Sequence, residues 1–151
     1  MKVVIYETKF SSPFSITVSA TTGSGYSHGA ILNNDVLYDT TFKRGKFAIA
    51  DKVDPNRKVA VVDIEGDCQE WIDANLDTLY DLLGLIGWPL AISISDRMYC
   101  FNVVEEALDS LGIYMKLGWR KDGGTILSSL LEKGYKVELM MGSQFNERYL
   151  K

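Results

Sequence analysis

The chain has 151 residues, 46% of them hydrophobic and 24% charged, the proportions of an ordinary soluble globular domain able to bury a core without disulfides or metal. With 20 acidic and 16 basic residues its net charge is -4, which argues against a broad nucleic-acid footprint. Two cysteines lack the spacing of a disulfide framework, and one histidine with two distant cysteines offers no zinc spacing.

In chain order, Lys2 to Tyr6 and Phe14 to Ala20 read as short strands rich in Val, Ile, Phe and Thr, separated by the turn-prone Ser11-Ser12-Pro13. Glu7 and Lys9 fall where a secretory signal needs an apolar run, so no signal peptide is expected and synthesis in the cytoplasm is. Thr21 to Gly25 reads as a loop. Ser27 to Leu32 and Val36 to Thr41 then read as a hairpin around Asn33-Asn34, a pair suited to a tight turn. That turn sets Leu32 opposite Asp35 and, counting back, His28 opposite Asp39. Directly opposed residues share a face at about 5 Å. The hairpin therefore pairs an imidazole with a carboxylate.

Lys43 to Arg57 is polar and irregular and reads as a long loop, and Val59 to Ile64 reads as a strand. From Asp67 to about Ile86 apolar residues recur at helical spacing, through Trp71, Ile72, Leu76, Leu79, Tyr80 and Leu83, until Gly87-Trp88-Pro89. The uncharged run Leu82 to Ser95 contains Pro89 and is too short to span a bilayer, which takes about 20 apolar residues. A second helix is expected from about Asp96, as N-cap, to Leu111, stopped by Gly112. The basic Lys116 to Lys121 reads as a solvated loop. A third helix follows from Thr125 to Lys133, then a last strand from Tyr135 to Met141 and a polar tail. There is no internal repeat or domain linker, so residues 1–151 read as one domain.

Two scarce residue types carry the chemistry. In the second helix Cys100, Val103, Val104, Ala107, Leu108 and Leu111 form one apolar stripe, and a core role for Cys100 follows from the burial preference of free cysteine. A catalytic role follows from its place near a helix N-terminus, where oriented amides stabilise a thiolate and can bind an oxyanion. Cys68 also opens a helix, but Asp63, Glu65, Asp67 and Glu70 surround it in sequence and disfavour a thiolate. His28, the sole histidine, is either a structural imidazole or a general base held by Asp39, and Asp39 alone reads equally as a solvated carboxylate. Gly23-Ser24-Gly25 lacks the dinucleotide fingerprint and the phosphate-loop lysine, and no serine lies in a nucleophile elbow.

The order of these parts resembles the permuted, YiiX-like branch of the NlpC-type papain-like cysteine peptidases and amidases, whose distant relatives include lecithin:retinol acyltransferase. The resemblance covers about residues 14 to 140. It rests on Thr22-Gly23 leading to Tyr26-Ser27-His28-Gly29-Ala30-Ile31, on Leu37-Tyr38-Asp39-Thr40 in the next strand, on Tyr80-Asp81-Leu82-Leu83, and on the later cysteine helix. The chain departs from that pattern in having Phe101-Asn102 where the family often has Ser-Glu after the cysteine, Asp39 for the commoner glutamate, and no Gly-Asp turn before the second strand.

The resemblance implies an α+β domain with a small antiparallel sheet or open barrel packed against helices, circularly permuted relative to papain. It implies Cys100 as nucleophile, His28 as base, Asp39 as the third polar residue and Tyr26 as a residue lining the site. The expected activity is thiol-dependent cleavage of a peptide, amide or other acyl substrate, with no cofactor, metal, nucleic acid or transmembrane segment. Two alternatives stand beside it. One is a lipid acyltransferase or thioesterase with Leu82 to Ile86 and Trp88 facing substrate. The other is an inactive binding module of the same fold.

Overall fold

The computed structural model describes residues 1–81, 98–115, 117 and 122–150. The expected helix end at Gly87-Trp88-Pro89, the N-cap Asp96, the lipid-facing Leu82 to Ile86 with Trp88, and most of the basic Lys116 to Lys121 stretch lie outside the described residues.

The architecture is α+β. Six strands, β1 (Lys2–Glu7), β2 (Tyr26–Asn33), β3 (Val36–Thr40), β4 (Phe47–Ala50), β5 (Lys58–Asp63) and β6 (Val137–Met141), form one antiparallel sheet in the order β4-β3-β2-β1-β5-β6. Among the described residues five helices accompany it: α1 (Pro13–Thr22), α2 (Gln69–Asn75), α3 (Cys100–Ser110), α4 (Gly123–Glu132) and α5 (Gly142–Tyr149). Alternation along the central strands sends Val3, Ile5, Ile31 and Val62 to one face, where they join Ile72, Phe101, Val104, Leu108, Ile126 and Leu130 from α2, α3 and α4. Val4, Leu32, Leu37 and Val61 go to the other face, which Phe145 of α5 covers. The sheet is buried on both sides, which explains why its central strands read as nearly continuous apolar runs.

Several elements differ from the sequence reading. Phe14 to Ala20 is not a strand but part of α1. Ser12 caps that helix by accepting from the Ser15 amide, Pro13 opens it, and Gly23 ends it at φ 64°. These end signals outweigh the β-propensity of the interior, and such a combination specifies a short helix. The polar segment Lys43 to Arg57 contains β4, whose Ala50 to Phe47 pair with Leu37 to Thr40. The helix expected from Asp67 to Ile86 stops at Asn75, because Asn75 bonds back to the Trp71 carbonyl and Asp77 turns the chain at φ 72°. Leu79 and Tyr80 continue the apolar spacing as single bridges to Lys46 and Met98. The polar tail contains α5.

The hairpin register is also shifted. Its turn is Asn34-Asp35, at φ 50° and 62°, so Asn33 pairs with Val36 and Ala30 with Asp39. Two consecutive positive φ values make a primed turn that suits Asn and Asp. Asn33 is held in the strand because its buried side chain donates to Asp67 and Gln69 and accepts from the Cys68 amide. The shift is two residues, an even number, so Asp39 stays on the face expected of it.

Glycines set how closely the helices approach. A Cβ at Gly29 would lie 3.1 Å from Val104 Cγ2, 3.2 Å from Phe101 Cδ1 and 3.3 Å from the Cys100 carbonyl oxygen. One at Gly123 would meet Tyr26 Cβ at 2.6 Å and Ile5 Cγ2 at 2.7 Å. Gly29 therefore lets the first turn of α3 rest on β2, and Gly123 lets α4 cross β1 and β2. Gly29→Val is expected to cost about 1–3 kcal/mol of stability through overpacking. Gly25→Ala, with nothing within 4 Å of its Cβ, should leave the urea midpoint unchanged. Equal midpoints for the two variants would contradict this account of the β2–α3 contact.

Candidate active site

Three elements bring the site together. His28 lies on β2, one residue from the glycine against which α3 is seated. The β1–β2 ladder shifts between Tyr6 and Glu7, so Tyr6 faces His28, Glu7 faces Tyr26, and Ser27 is left between. A bulge of this kind re-aims neighbouring side chains. The Tyr6 and His28 rings lie 4.9 Å apart with their planes tilted by 57°. The β2–β3 ladder ends at Ala30–Asp39, and beyond it the strands part. His28 crosses that gap diagonally, its Nε2 3.0 Å from Asp39 Oδ2. Arg44 binds the other carboxylate oxygen and also donates to the Ala48 carbonyl at 3.3 Å.

Cys100 is the first residue of α3 and is 3% exposed. Tyr99 is the N-cap of the helix, with φ -108° and ψ 169° and no side-chain cap bond. The thiol is therefore at the very start of the helix, beside amides that no side-chain cap consumes. It lines the same cavity as the His28 imidazole and acts on it electrostatically. Ionised Asp39 can only accept, so Nε2 carries the proton and Nδ1 is the nitrogen left for the thiol.

The electrostatics follow from these contacts. Burial is the largest influence on His28 and works against its charged form. The hydrogen bond to Asp39, with the influence of the neighbouring Cys100 and the charges of both, outweighs it and raises the pKa to about 9. Burial likewise pushes the Asp39 carboxyl up, but His28 and Arg44 hold it below its ordinary value. Cys68 contrasts with this. Its thiol packs 3.2 Å from Met1 Sδ, and burial, more than the neighbouring Asp67, pushes its pKa up to about 11.

Cys100 and His28 line a cavity of about 430 Å³. Ser12, Ser15, Ser27 and Thr41 bring hydroxyl groups to it, and Lys43 and Arg57 bring positive charge. Ser15 and Ser27 are joined Oγ to Oγ at 2.6 Å, and Arg57 donates to Ser27 Oγ and to the Glu7 carbonyl. The Thr40 hydroxyl, buried in the same wall, has no hydrogen-bond partner among the described residues.

Of the four residues expected at the site, His28, Asp39 and Cys100 are together. Tyr26 is apart from them: its Cβ faces Gly123, and it borders hollows on either side of β2 rather than this cavity. The bulge at Ser27 breaks the alternation that would have put Tyr26 beside His28. Sequence reasoning missed Tyr6, Arg44, Arg57 and the serine pair. Ser27, adjacent to the sole histidine, carried a usable signal, whereas the arginines lie in a segment read as a plain loop. Among the described residues no cluster of His, Cys, Asp and Glu could hold a metal ion, and no helix is long and apolar enough to cross a membrane. No protein-family model, curated protein or solved structure matches the chain.

A histidine whose pKa rises from 6.5 to about 9 on folding adds stability that is fully present below about pH 6.5 and is lost as pH climbs through about 9. His28→Ala should abolish that part of the pH dependence. Asp39→Asn should lower the His28 pKa, read from the imidazole proton shifts by NMR. An unchanged titration in Asp39→Asn would remove the carboxylate from this account.

Proposed function

We propose that the protein is a thiol-dependent hydrolase acting on an amide or ester, built on the permuted papain-like fold of the YiiX-like, NlpC-type enzymes. The single observation that carries this reading is that Cys100, at the start of α3, lines the same cavity as a His28 imidazole bonded to Asp39. The order of elements from the histidine strand to the cysteine helix supports the same fold.

In this mechanism the Cys100 proton rests on His28 Nδ1 as the sulfur attacks the substrate carbonyl carbon. A carbon–sulfur bond forms and the carbonyl π electrons move to oxygen, where the Cys100 backbone N–H at the start of α3 stabilises the negative charge. As the tetrahedral intermediate collapses, the bond to the leaving group breaks, and that group departs with the electron pair and the proton held by His28. Water, deprotonated by His28, then attacks the thioester. It releases the acid and returns the proton to sulfur. Asp39 keeps the imidazole in the required tautomer throughout, and Arg44 keeps Asp39 ionised.

Hydroxyl groups and two cations in a cavity whose walls are otherwise mostly apolar support an acyl substrate that also carries a polar group. The placing of thiol and imidazole on one cavity favours an enzyme over an inactive module.

A panel of chromogenic esters and amides should reveal hydrolysis. Cys100→Ala and His28→Ala are each expected to lower kcat/KM by on the order of a hundredfold or more. Activity that survives both substitutions would place the chemistry elsewhere.

A further inference from the structure

The cavity that reaches Cys100 carries the opposite charge to the chain around it. The molecule has a net charge of -4, yet Lys43 and Arg57 line this cavity and, among the described residues, no carboxylate does. Asp39 is close behind His28, but one of its oxygens is bonded to His28 and the other to Arg44. The positive charge in the wall is therefore not neutralised from within the cavity.

Arg57 is the better placed of the two cations. It is partly buried, and its Cζ lies 5.0 Å from the centroid of the Tyr6 ring, the same ring that packs on His28. Nε donates to the Glu7 carbonyl at 2.6 Å and Nη2 donates to Ser27 Oγ. A guanidinium has five N–H donors, so these two bonds fix its plane and leave others free. Asp54 and Glu7 act on it only as nearby charges, and Asp54 is itself paired with Lys9. Among the described residues Arg57 has no ion pair. A rigidly held, partly desolvated guanidinium without a carboxylate is suited to a planar oxyanion that arrives with a ligand.

We infer that the substrate of this site carries an oxyanion group, a carboxylate or a phosphate, which pairs with Arg57 while its acyl carbonyl meets Cys100. This inference rests on the hydrolase reading and narrows its substrate class. Arg57 and Cys100 line the same cavity and feel each other's charge, so the anion and the reacting carbonyl are separated by only a short chain. Lys43, exposed at the cavity, adds attraction for the same charge. Half-esters of short dicarboxylic acids are the simplest compounds of this form.

The direct test compares alkylation of Cys100 by iodoacetate and by iodoacetamide, with each rate normalised to the urea-unfolded chain. In both reactions sulfur forms a bond to carbon and iodide leaves with the electron pair, so only the reagent's charge differs. The intact site should favour iodoacetate by about tenfold, the factor that about 1.4 kcal/mol of attraction gives. Protonated His28 contributes to that preference in every variant. Arg57→Gln should therefore reduce the ratio several-fold without abolishing it, and Arg57→Lys should retain most of it. A general loss of stability would also pull the ratio toward that of the unfolded chain, so Arg57→Lys, which keeps the charge, and an unchanged urea midpoint in Arg57→Gln are the controls. An unchanged ratio in Arg57→Gln overturns the inference.

Protection of Cys100 by succinate at lower concentration than by inorganic phosphate would identify the anion as a carboxylate, and the reverse order as a phosphate. A turnover assay separates this inference from the reading on which it rests. Equal hydrolysis of an aryl succinate half-ester and its neutral methyl-capped counterpart, without an iodoacetate preference, would leave the hydrolase and remove the anion site. An Arg57-dependent preference without turnover of either ester would leave the anion site and remove the hydrolase.

Discussion

The seating of α3 on β2 at Gly29 is the constraint on which the rest of the site depends. Because position 29 has no side chain, the first turn of the helix comes within van der Waals contact of the strand, 3.1–3.3 Å from where a Cβ would lie. That contact fixes the start of α3, and therefore Cys100, one residue away from His28 along the strand. Strand alternation sends His28 away from the α3 face, toward Tyr6 and Asp39. The β2–β3 ladder ends at Ala30–Asp39, and Cys100 and His28 both line the cavity that opens there. The core explains the rigidity of this arrangement: Phe101, Val103, Val104, Ala107 and Leu108 are fully buried on the helix that carries the cysteine.

A line of charge runs through that opening, from Arg44 to Asp39, His28 and Cys100. His28 and Arg44 favour the charged form of Asp39, and Asp39 and Cys100 favour that of His28, outweighing the burial that would otherwise neutralise the imidazole. Arg57 also lies over the Tyr6 ring, which packs against the same histidine. Cys68 gives the comparison within one molecule. It is a buried thiol at a helix start with no imidazole beside it, and its ionisation is suppressed. Position at a helix N-terminus is therefore not sufficient.

Scarcity made the site partly readable from the residues alone. With one histidine and two cysteines in 151 positions, few pairings were possible, and the surrounding acids set Cys68 aside. The association of His28 with Asp39 survived a wrong turn assignment because a two-residue slip preserves the face. Other features depended on tertiary contacts. Asn33 is held in β2 by Asp67 and Gln69, more than thirty residues later. The bulge that separates Tyr26 from the cavity exists only once β1 and β2 pair. In α1, a capping serine, a proline and a left-handed glycine decided the structure against a β-prone interior, and those signals were present in the chain. Arg57 had no such signal, because its role comes from the fold bringing Tyr6, Ser27 and Glu7 around it.

The most direct measurement is the rate at which a neutral alkylating reagent modifies each cysteine at about pH 6, well below the free-thiol pKa of roughly 8.5. Cys100 and Cys68 would be read separately by mass spectrometry, in the native chain and in His28→Ala. The account predicts that Cys100 reacts much faster than Cys68 and loses most of that advantage without the imidazole. A Cys100 that reacts only after unfolding, or equally well without His28, would contradict it.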